Sequence, residues 1–189
     1  MKNNKGFSLV ELLITIVIMA VLAAAIAPAL IRYIDKSRKA DDIASAHAMA
    51  TAFKAALAEE DIYTELWKEV DSYRSSDANA CVPLLVCTSA DDEWTIYDAA
   101  SGADLTKFKN LMDIGCAPQD LKFTKDVDPT AGGISNSDYI MGANTDFEPG
   151  GWMICINSNN EPCVYVTDGE TGSGIQGVSL NPLRCEAYK

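Results

Sequence analysis

The most reactive side chains in this sequence belong to six cysteines, all of which follow residue 80. They are Cys81, Cys87, Cys116, Cys155, Cys163 and Cys185. Five residues separate the first two, and seven separate Cys155 from Cys163, whereas paired zinc ligands usually stand about two to four residues apart. The spacing therefore favours the disulfide framework of an exported domain over a zinc site. Buried thiols in an anaerobic organism are the alternative.

One disulfide can be predicted from a β-hairpin. Residues 152–156 and 162–166 have the composition of strands, and the five residues between them are rich in turn formers. If the two strands pair across this turn, Cys155 lies directly opposite Cys163. At a non-hydrogen-bonded position their Cα atoms would be about 4.5 Å apart, which suits a disulfide. The remaining economical pairs are Cys81–Cys87 and Cys116–Cys185.

The other polar residues do not group into a catalytic or metal-binding site. The single histidine, His47, argues against a His-based triad or a multi-histidine metal site, and a solvated position on a helix is expected for it. The acidic runs at residues 91–93 and 126–128 lack the spacing of a calcium loop. Residues 172–177 match GxGxxG, but Pro182 leaves no room for a helix after them, so a flexible loop is predicted. We expect no enzymatic activity, no metal and no cofactor.

The composition is that of a folded, acidic chain with an unusual start. Of the 189 residues 48% are apolar and the net charge is −12, which argues against disorder and against general nucleic-acid binding. Residues 1–40 hold six basic and two acidic side chains, or +4, while the other 149 residues hold nine basic and 25 acidic ones, or −16. This asymmetry is typical of a membrane-associated segment followed by a solvated domain.

The apolar segment runs from Leu12 to Ile31 without a charged residue. Twenty helical residues span roughly 30 Å, the thickness of a bilayer core. A secretory signal peptide cleaved near residues 23–27 is the alternative, because this stretch is rich in small residues. The run is longer than the usual apolar region of about 7–15 residues in such peptides, and Glu11 stands where that region should begin. The segment is therefore predicted to be a membrane helix.

Immediately before this run stands KGFSLVELL, at residues 5–13. It closely resembles the class III signal of type IV pilins and of the pseudopilins of type II secretion. The resemblance covers roughly residues 1–60. It implies cleavage after Gly6 by a membrane prepilin peptidase and N-methylation of the new first residue, Phe7. It also implies an assembly ATPase and a membrane platform protein as partners.

Two residues of the apolar helix are expected to matter for assembly. A carboxylate such as Glu11 costs about 2.5–3.5 kcal/mol inside a membrane, and the resemblance supplies the amine of Phe7 on a neighbouring subunit as its partner. A position at headgroup depth without a partner is the alternative. Pro28 lacks an N–H and crowds the carbonyl of Ala24, so a kink or local loosening is predicted. The family often extends its helix between a glycine and this proline, but Ala20 stands here for that glycine, and a plain membrane-helix kink explains Pro28 equally well.

Beyond the apolar run the sequence predicts a second helical half and a small sheet. Apolar residues recur at spacings of three and four, which marks one helix face: Ile43, Ala46, Ala50, Phe53 and Leu57. Further helices are predicted at residues 64–73 and 105–112. Strands are predicted at residues 82–86, 94–98, 139–141, 152–156 and 163–167. The fold class is α+β, with a long N-terminal helix packed on a small antiparallel-sheet head, as in type IV pilins.

The predicted organisation has four parts. They are a cleaved leader (1–6), a transmembrane and assembly helix (7–31), its amphipathic continuation (32–60) and a globular α+β head with disulfides (61–189). Two basic residues precede the span and four follow it, so the positive-inside rule alone would put the head in the cytoplasm. The disulfides and the prepilin leader place it outside, and this orientation is the one we predict.

The resemblance implies a structural subunit of an extracellular type IV pilus, stored in the cytoplasmic membrane and then polymerised as a homo-oligomeric helical filament through the apolar helix. A pseudopilin of a type II secretion or competence system is the alternative. Another alternative is a membrane-anchored enzyme whose catalytic groups would be carboxylates. Adhesion, twitching motility and DNA uptake are all family roles, and the −16 charge makes direct DNA capture the least favoured.

Overall fold

The computed structural model describes residues 7–74, 82–88, 93–97, 105–127, 140–141, 146–157, 161–169, 176–181 and 188. Three helices lie in these residues: α1 (Leu9–Ala56), α2 (Glu60–Arg74) and α3 (Thr106–Gly115). The strands are β1 (Val82–Thr88), β2 (Thr95–Ile96), β3 (Ile140–Met141), β4 (Gly151–Ile156), β5 (Pro162–Thr167) and β6 (Gly177–Asn181). The chain divides into two compact units, unit 1 (Met1–Arg38) and unit 2 (Lys39–Lys189).

The strands form one antiparallel sheet in the order β2-β1-β4-β5-β6-β3. The predicted α+β class is therefore confirmed. The predicted hairpin is β4–β5, and hydrogen bonds between Asn157 and Glu161 close its turn. The N–H of Asn157 donates to the carbonyl of Glu161 at 3.0 Å, and the N–H of Glu161 donates to Asn157 Oδ1 at 2.8 Å.

Strand β6 is absent from the prediction. Its glycine, serine and asparagine are depleted in strands, and the expected loop at residues 172–177 overlaps its first residue. In the structure β6 pairs with both β5 and β3, and all five of its residues are buried. Pairing on both sides satisfies the backbone groups of these residues, which outweighs their weak strand propensity.

The second half of α1 supplies one side of the core of unit 2. Ile43, Ala46, Ala50 and Phe53 are buried as their spacing predicts, and Leu57 is half-buried. Met49 and Ala56 widen this face, and the Phe53 ring lies 4.8 Å from that of Phe108 in α3. The buried cluster also includes side chains from the helix-facing side of the sheet: Leu84, Trp152, Ile154, Val164, Val166 and Leu180.

The opposite face of the sheet is also buried. Met153, Cys155, Cys163 and Tyr165 form a second cluster there, with Tyr97 packed against it. Since successive strand residues point to opposite faces, β4 alternates between the two clusters. Burial on both faces explains why β4 and β5 read as almost continuous apolar runs.

The structure corrects the predicted Cys81–Cys87 pairing. Cys87 lies in β1, whose extended backbone begins at Val82. Five strand rises separate the Cα atoms of Val82 and Cys87 by about 16 Å, and Cys81 is bonded to Val82, only about 3.8 Å from it. A disulfide needs Cα atoms within about 7 Å, so this pairing is wrong. Cys81 and Cys185 lie outside the described residues, and Cys116–Cys185 stays a prediction.

Cys155 and Cys163 face each other in the register that was predicted. Because the N–H of Asn157 bonds to the carbonyl of Glu161, and because the two kinds of pair alternate, Cys155 and Cys163 form a hydrogen-bonded pair. Their Cα atoms are then about 5.5 Å apart, not 4.5 Å, which is still within the range for a disulfide. The structure contains no Cys155–Cys163 disulfide bond, and this disulfide stays a prediction.

Candidate processing and assembly segment

The beginning of α1 holds the residues predicted for cleavage and assembly. Gly6 lies outside the described residues, and the side chain of Phe7 is 85% exposed. The N–H of Leu12 donates to the carbonyl of Ser8 at 3.2 Å. This is the first bond of the α-helical pattern, so Ser8 is the N-cap residue. Phe7 is therefore an exposed residue outside the helix.

Glu11 has a partner within its own helix. Its Oε2 atom accepts a hydrogen bond from the N–H of Ser8 at 2.9 Å. Serine followed three residues later by glutamate, just before an apolar run, is the capping-box pattern. This signal can be read directly in the sequence, whereas the partner predicted for Glu11 was a charged amine. A carboxylate in the first turn also interacts favourably with the helix dipole.

Unit 1 presents an apolar surface along the helix. The large apolar side chains between Leu12 and Ile31 are 50–69% exposed. An 18-residue window of α1 reaches a mean hydropathy of 2.8 with none of its residues buried. The helix is thus long and apolar enough to cross a membrane, although a signal sequence would pass the same test. The one hydroxyl between Leu12 and Ile31 is satisfied, since Thr15 donates to the carbonyl of Leu12 at 2.8 Å.

Pro28 does not interrupt the helix. The α-helical backbone is continuous from Leu9 to Ala56, although Pro28 has no N–H to offer the carbonyl of Ala24. The predicted loosening at this position is therefore not a break in α1. What Pro28 removes is one backbone hydrogen bond near the C-terminal end of the apolar surface.

The other candidate groups lie apart from this segment. His47 is exposed, and its Nδ1 atom lies 2.7 Å from Nδ2 of Asn181 in β6. This distance lies within the range of a side-chain hydrogen bond. Among the described residues, no group of three or more His, Cys, Asp or Glu side chains could hold a metal ion. His47 thus links α1 to the sheet.

The arrangement at the start of α1 is suited to a change of partner for Glu11. Cleavage after Gly6 would convert the amide nitrogen of Phe7 into a positively charged amine, next to the Ser8 N–H that Glu11 now accepts from. A carboxylate bonds more strongly to a charged donor than to a neutral amide. Such a cleavage would therefore place a stronger donor for Glu11 at the same end of the helix.

Comparison with known families adds an independent finding for this segment. Residues 1–27 match the model of the prokaryotic N-terminal methylation motif. This motif is the class III prepilin signal of type IV pilins and pseudopilins, so the chain carries that signal. The match covers the leader, Phe7, Glu11 and most of the apolar run. No solved structure matches the chain.

Proposed function

We propose that this protein is a structural subunit of an extracellular type IV pilus, polymerised through unit 1 after cleavage between Gly6 and Phe7 and N-methylation of Phe7. The observation that carries the proposal is the exposed apolar helix, most of which lies within the matched signal. An apolar surface of this extent needs either lipid or other copies of itself to cover it. A pilin uses both in turn, as a membrane-stored monomer and as a filament.

The stored form is anchored in the cytoplasmic membrane with unit 2 outside. Removal of residues 1–6 by the prepilin peptidase also removes Lys2 and Lys5, the basic residues on the cytoplasmic side of the span. Loss of these charges weakens the electrostatic hold on the inner surface of the membrane. Processing therefore prepares the subunit for extraction and exposes the Phe7 amine.

Assembly needs a driving force other than hydrophobic burial. Lipid tails are as apolar as the side chains of Leu12–Ile31, so moving the helix from the membrane into a filament core brings little hydrophobic free energy. We assign the directional part of assembly to pairing of Glu11 with the Phe7 amine of the next subunit, in a region of low dielectric constant where charge pairs are strong. An assembly ATPase and a platform membrane protein supply the work of extraction.

The proposal is tested by variants that separate processing from assembly. Gly6→Ala should leave a full-length precursor that forms no filaments. Glu11→Ala should be cleaved to begin at Phe7 and yet yield few filaments, and Glu11→Gln shows whether charge rather than size is needed. Glu148→Gln changes an exposed carboxylate of unit 2 and is the matched control.

Mass spectrometry of the N-terminus and electron microscopy of sheared fractions measure the two steps. Normal filaments from uncleaved Gly6→Ala protein, or from Glu11→Ala at the level of Glu148→Gln, would overturn the proposal. Short fibres confined to the cell envelope would assign the chain to the pseudopilins instead.

A further inference from the structure

Three basic side chains follow the apolar run within unit 1. Arg32, Lys36 and Arg38 are exposed, and we call them the basic collar. Unit 2 has the opposite sign, with ten basic and 25 acidic residues, or −15. The next basic residue, Lys39, is already engaged within unit 2, because its ammonium lies 4.7 Å from the centre of the Phe123 ring. With the half-buried Asp35 among its members, the collar is thus the net basic surface of the described part of unit 1.

A membrane does not account for the collar in the proposed orientation. Basic residues next to a membrane span are enriched on the cytoplasmic side, whereas the collar would lie on the outer side. Three exposed cations there oppose the usual distribution of charge around a single span. A binding partner other than the inner membrane leaflet would offset the cost of placing three cations on the outer side of the span.

Unit 2 contains a complementary acidic groove of about 430 Å³ at the start of α2. It is lined by Glu60, Asp61, Thr64, Glu65 and Lys107. The Lys107 ammonium lies 2.9 Å from Oδ2 of Asp61, so the groove already holds one lysine side chain. The hydrogen bond and the charge of Lys107 lower the pKa of Asp61 from its ordinary value, which keeps this carboxylate ionised. Three carboxylates and one ammonium leave a net charge of −2.

We infer that the basic collar of one subunit docks on the acidic groove of a second copy of the same chain. This inference rests on the proposed filament. The two surfaces belong to different units, so their contact is heterologous, and a heterologous contact that does not close propagates into an open filament. Each exposed ion pair is weak, but the contact repeats at every subunit and sets which neighbour is accepted.

Crosslinking of wild-type filaments tests the contact directly. A carbodiimide joins lysine amines to carboxylates that already touch, and Lys36 is the one lysine of the collar. We expect peptides that join Lys36 to Glu60, Asp61 or Glu65 in sheared filaments, and their absence from monomers solubilised in detergent. The same crosslink at equal yield in monomers, or none from Lys36 to these acids in filaments, would overturn the inference.

Charge reversal provides a second readout that does not depend on crosslinking. Lys36→Glu should reduce filament mass several-fold, and Glu60→Lys should do the same. The double variant Lys36→Glu/Glu60→Lys should recover most of the loss, because it restores opposite charges at the contact. Lys54→Glu, which reverses an exposed charge on α1 within unit 2, is the matched control and should assemble normally.

The outcomes separate this inference from the proposed function. If the wild type is processed but makes no filaments, the proposed function fails. If the wild type makes filaments and Lys36→Glu assembles equally well, the collar contact alone is wrong. If Lys36→Glu lowers the amount of membrane-bound monomer while the remaining protein assembles normally, the collar binds lipid headgroups and the inference is overturned.

Discussion

Asp42 shows how a single residue ties α1 to a distant part of unit 2. Its side chain is 1% exposed. Its two oxygens accept the backbone N–H groups of Lys122 at 2.8 Å and of Phe123 at 3.0 Å. The sequence does not reveal this role, because the partners are 80 and 81 residues away and the adjacent Asp41 has the same side chain. By contrast, the Ser8–Glu11 cap is local and could be read from the sequence.

Asp42→Ala should lower the free energy of unfolding by about 1–3 kcal/mol, because it leaves buried N–H groups without an acceptor. Asp41→Ala, at an exposed position, should change this free energy little.

Burial raises the pKa of Asp42 above its ordinary value of 3.8, so the carboxyl group of Asp42 binds a proton more tightly in the folded state than in the unfolded state. The contribution of Asp42 to stability should then grow as the pH falls from neutral, and Asp42→Asn should lose that dependence. Urea unfolding in detergent measures both effects, and equal stabilities for the two alanine variants would contradict this role.

At the scale of the elements, β1 and β4 approach each other so closely that a side chain at Gly151 would not fit between them. A Cβ on Gly151, at the start of β4, would lie 2.3 Å from the carbonyl oxygen of Cys87 in β1. Gly169, which follows β5, has a φ of +80° and approaches Gly150 in the same way. The sequence predicts the β4–β5 register because turn and apolar pattern are local, but it does not predict β6, which depends on neighbours distant in sequence.

Gly151→Ala should destabilise unit 2 by roughly 1–3 kcal/mol, as overpacking against a backbone atom does. Gly115→Ala is the control, since a Cβ there would meet only the Cβ of Ala52 at 3.7 Å, an ordinary contact. Thermal unfolding followed by circular dichroism compares the two variants. Equal unfolding temperatures for Gly151→Ala and Gly115→Ala would show that β1 and β4 can move apart without loss of stability.

Cys155 and Cys163 should form a disulfide in protein isolated from the oxidising side of the membrane. Their opposed positions in the β4–β5 hairpin would close a short loop, which stabilises a protein by roughly 2–4 kcal/mol. Peptide mapping without reduction should recover residues 155 and 163 in one linked pair. Recovery of both as alkylated thiols after unfolding would show that the pair stays reduced.

At the scale of the molecule, unit 1 and unit 2 differ in whether their apolar side chains are exposed or buried. The described core residues lie between Ile43 and Tyr188, all in unit 2, whereas the apolar side chains of unit 1 are exposed. Composition and hydropathy predict this division because it is a property of long segments. Unit 2 begins at Lys39, within the predicted amphipathic continuation (32–60), which the sequence already predicts to pack on the head.

A fragment of residues 39–189 should therefore fold and remain monomeric without detergent, because it keeps the core and loses the apolar surface. Size-exclusion chromatography and circular dichroism measure this, with the full chain in detergent as the reference. Aggregation or loss of the β-sheet signal would show that unit 2 needs unit 1 in order to fold.

The most direct test of the central claim is the mass of the N-terminal peptide from sheared surface filaments of the wild type. Our account predicts a peptide that begins at Phe7 and carries a methyl group on its amine, with Glu11 and the apolar run retained. A peptide that begins at Met1 would contradict processing. A chain that begins within the apolar run, near residues 23–28, would show that the segment is a secretory signal peptide and that unit 1 builds no filament.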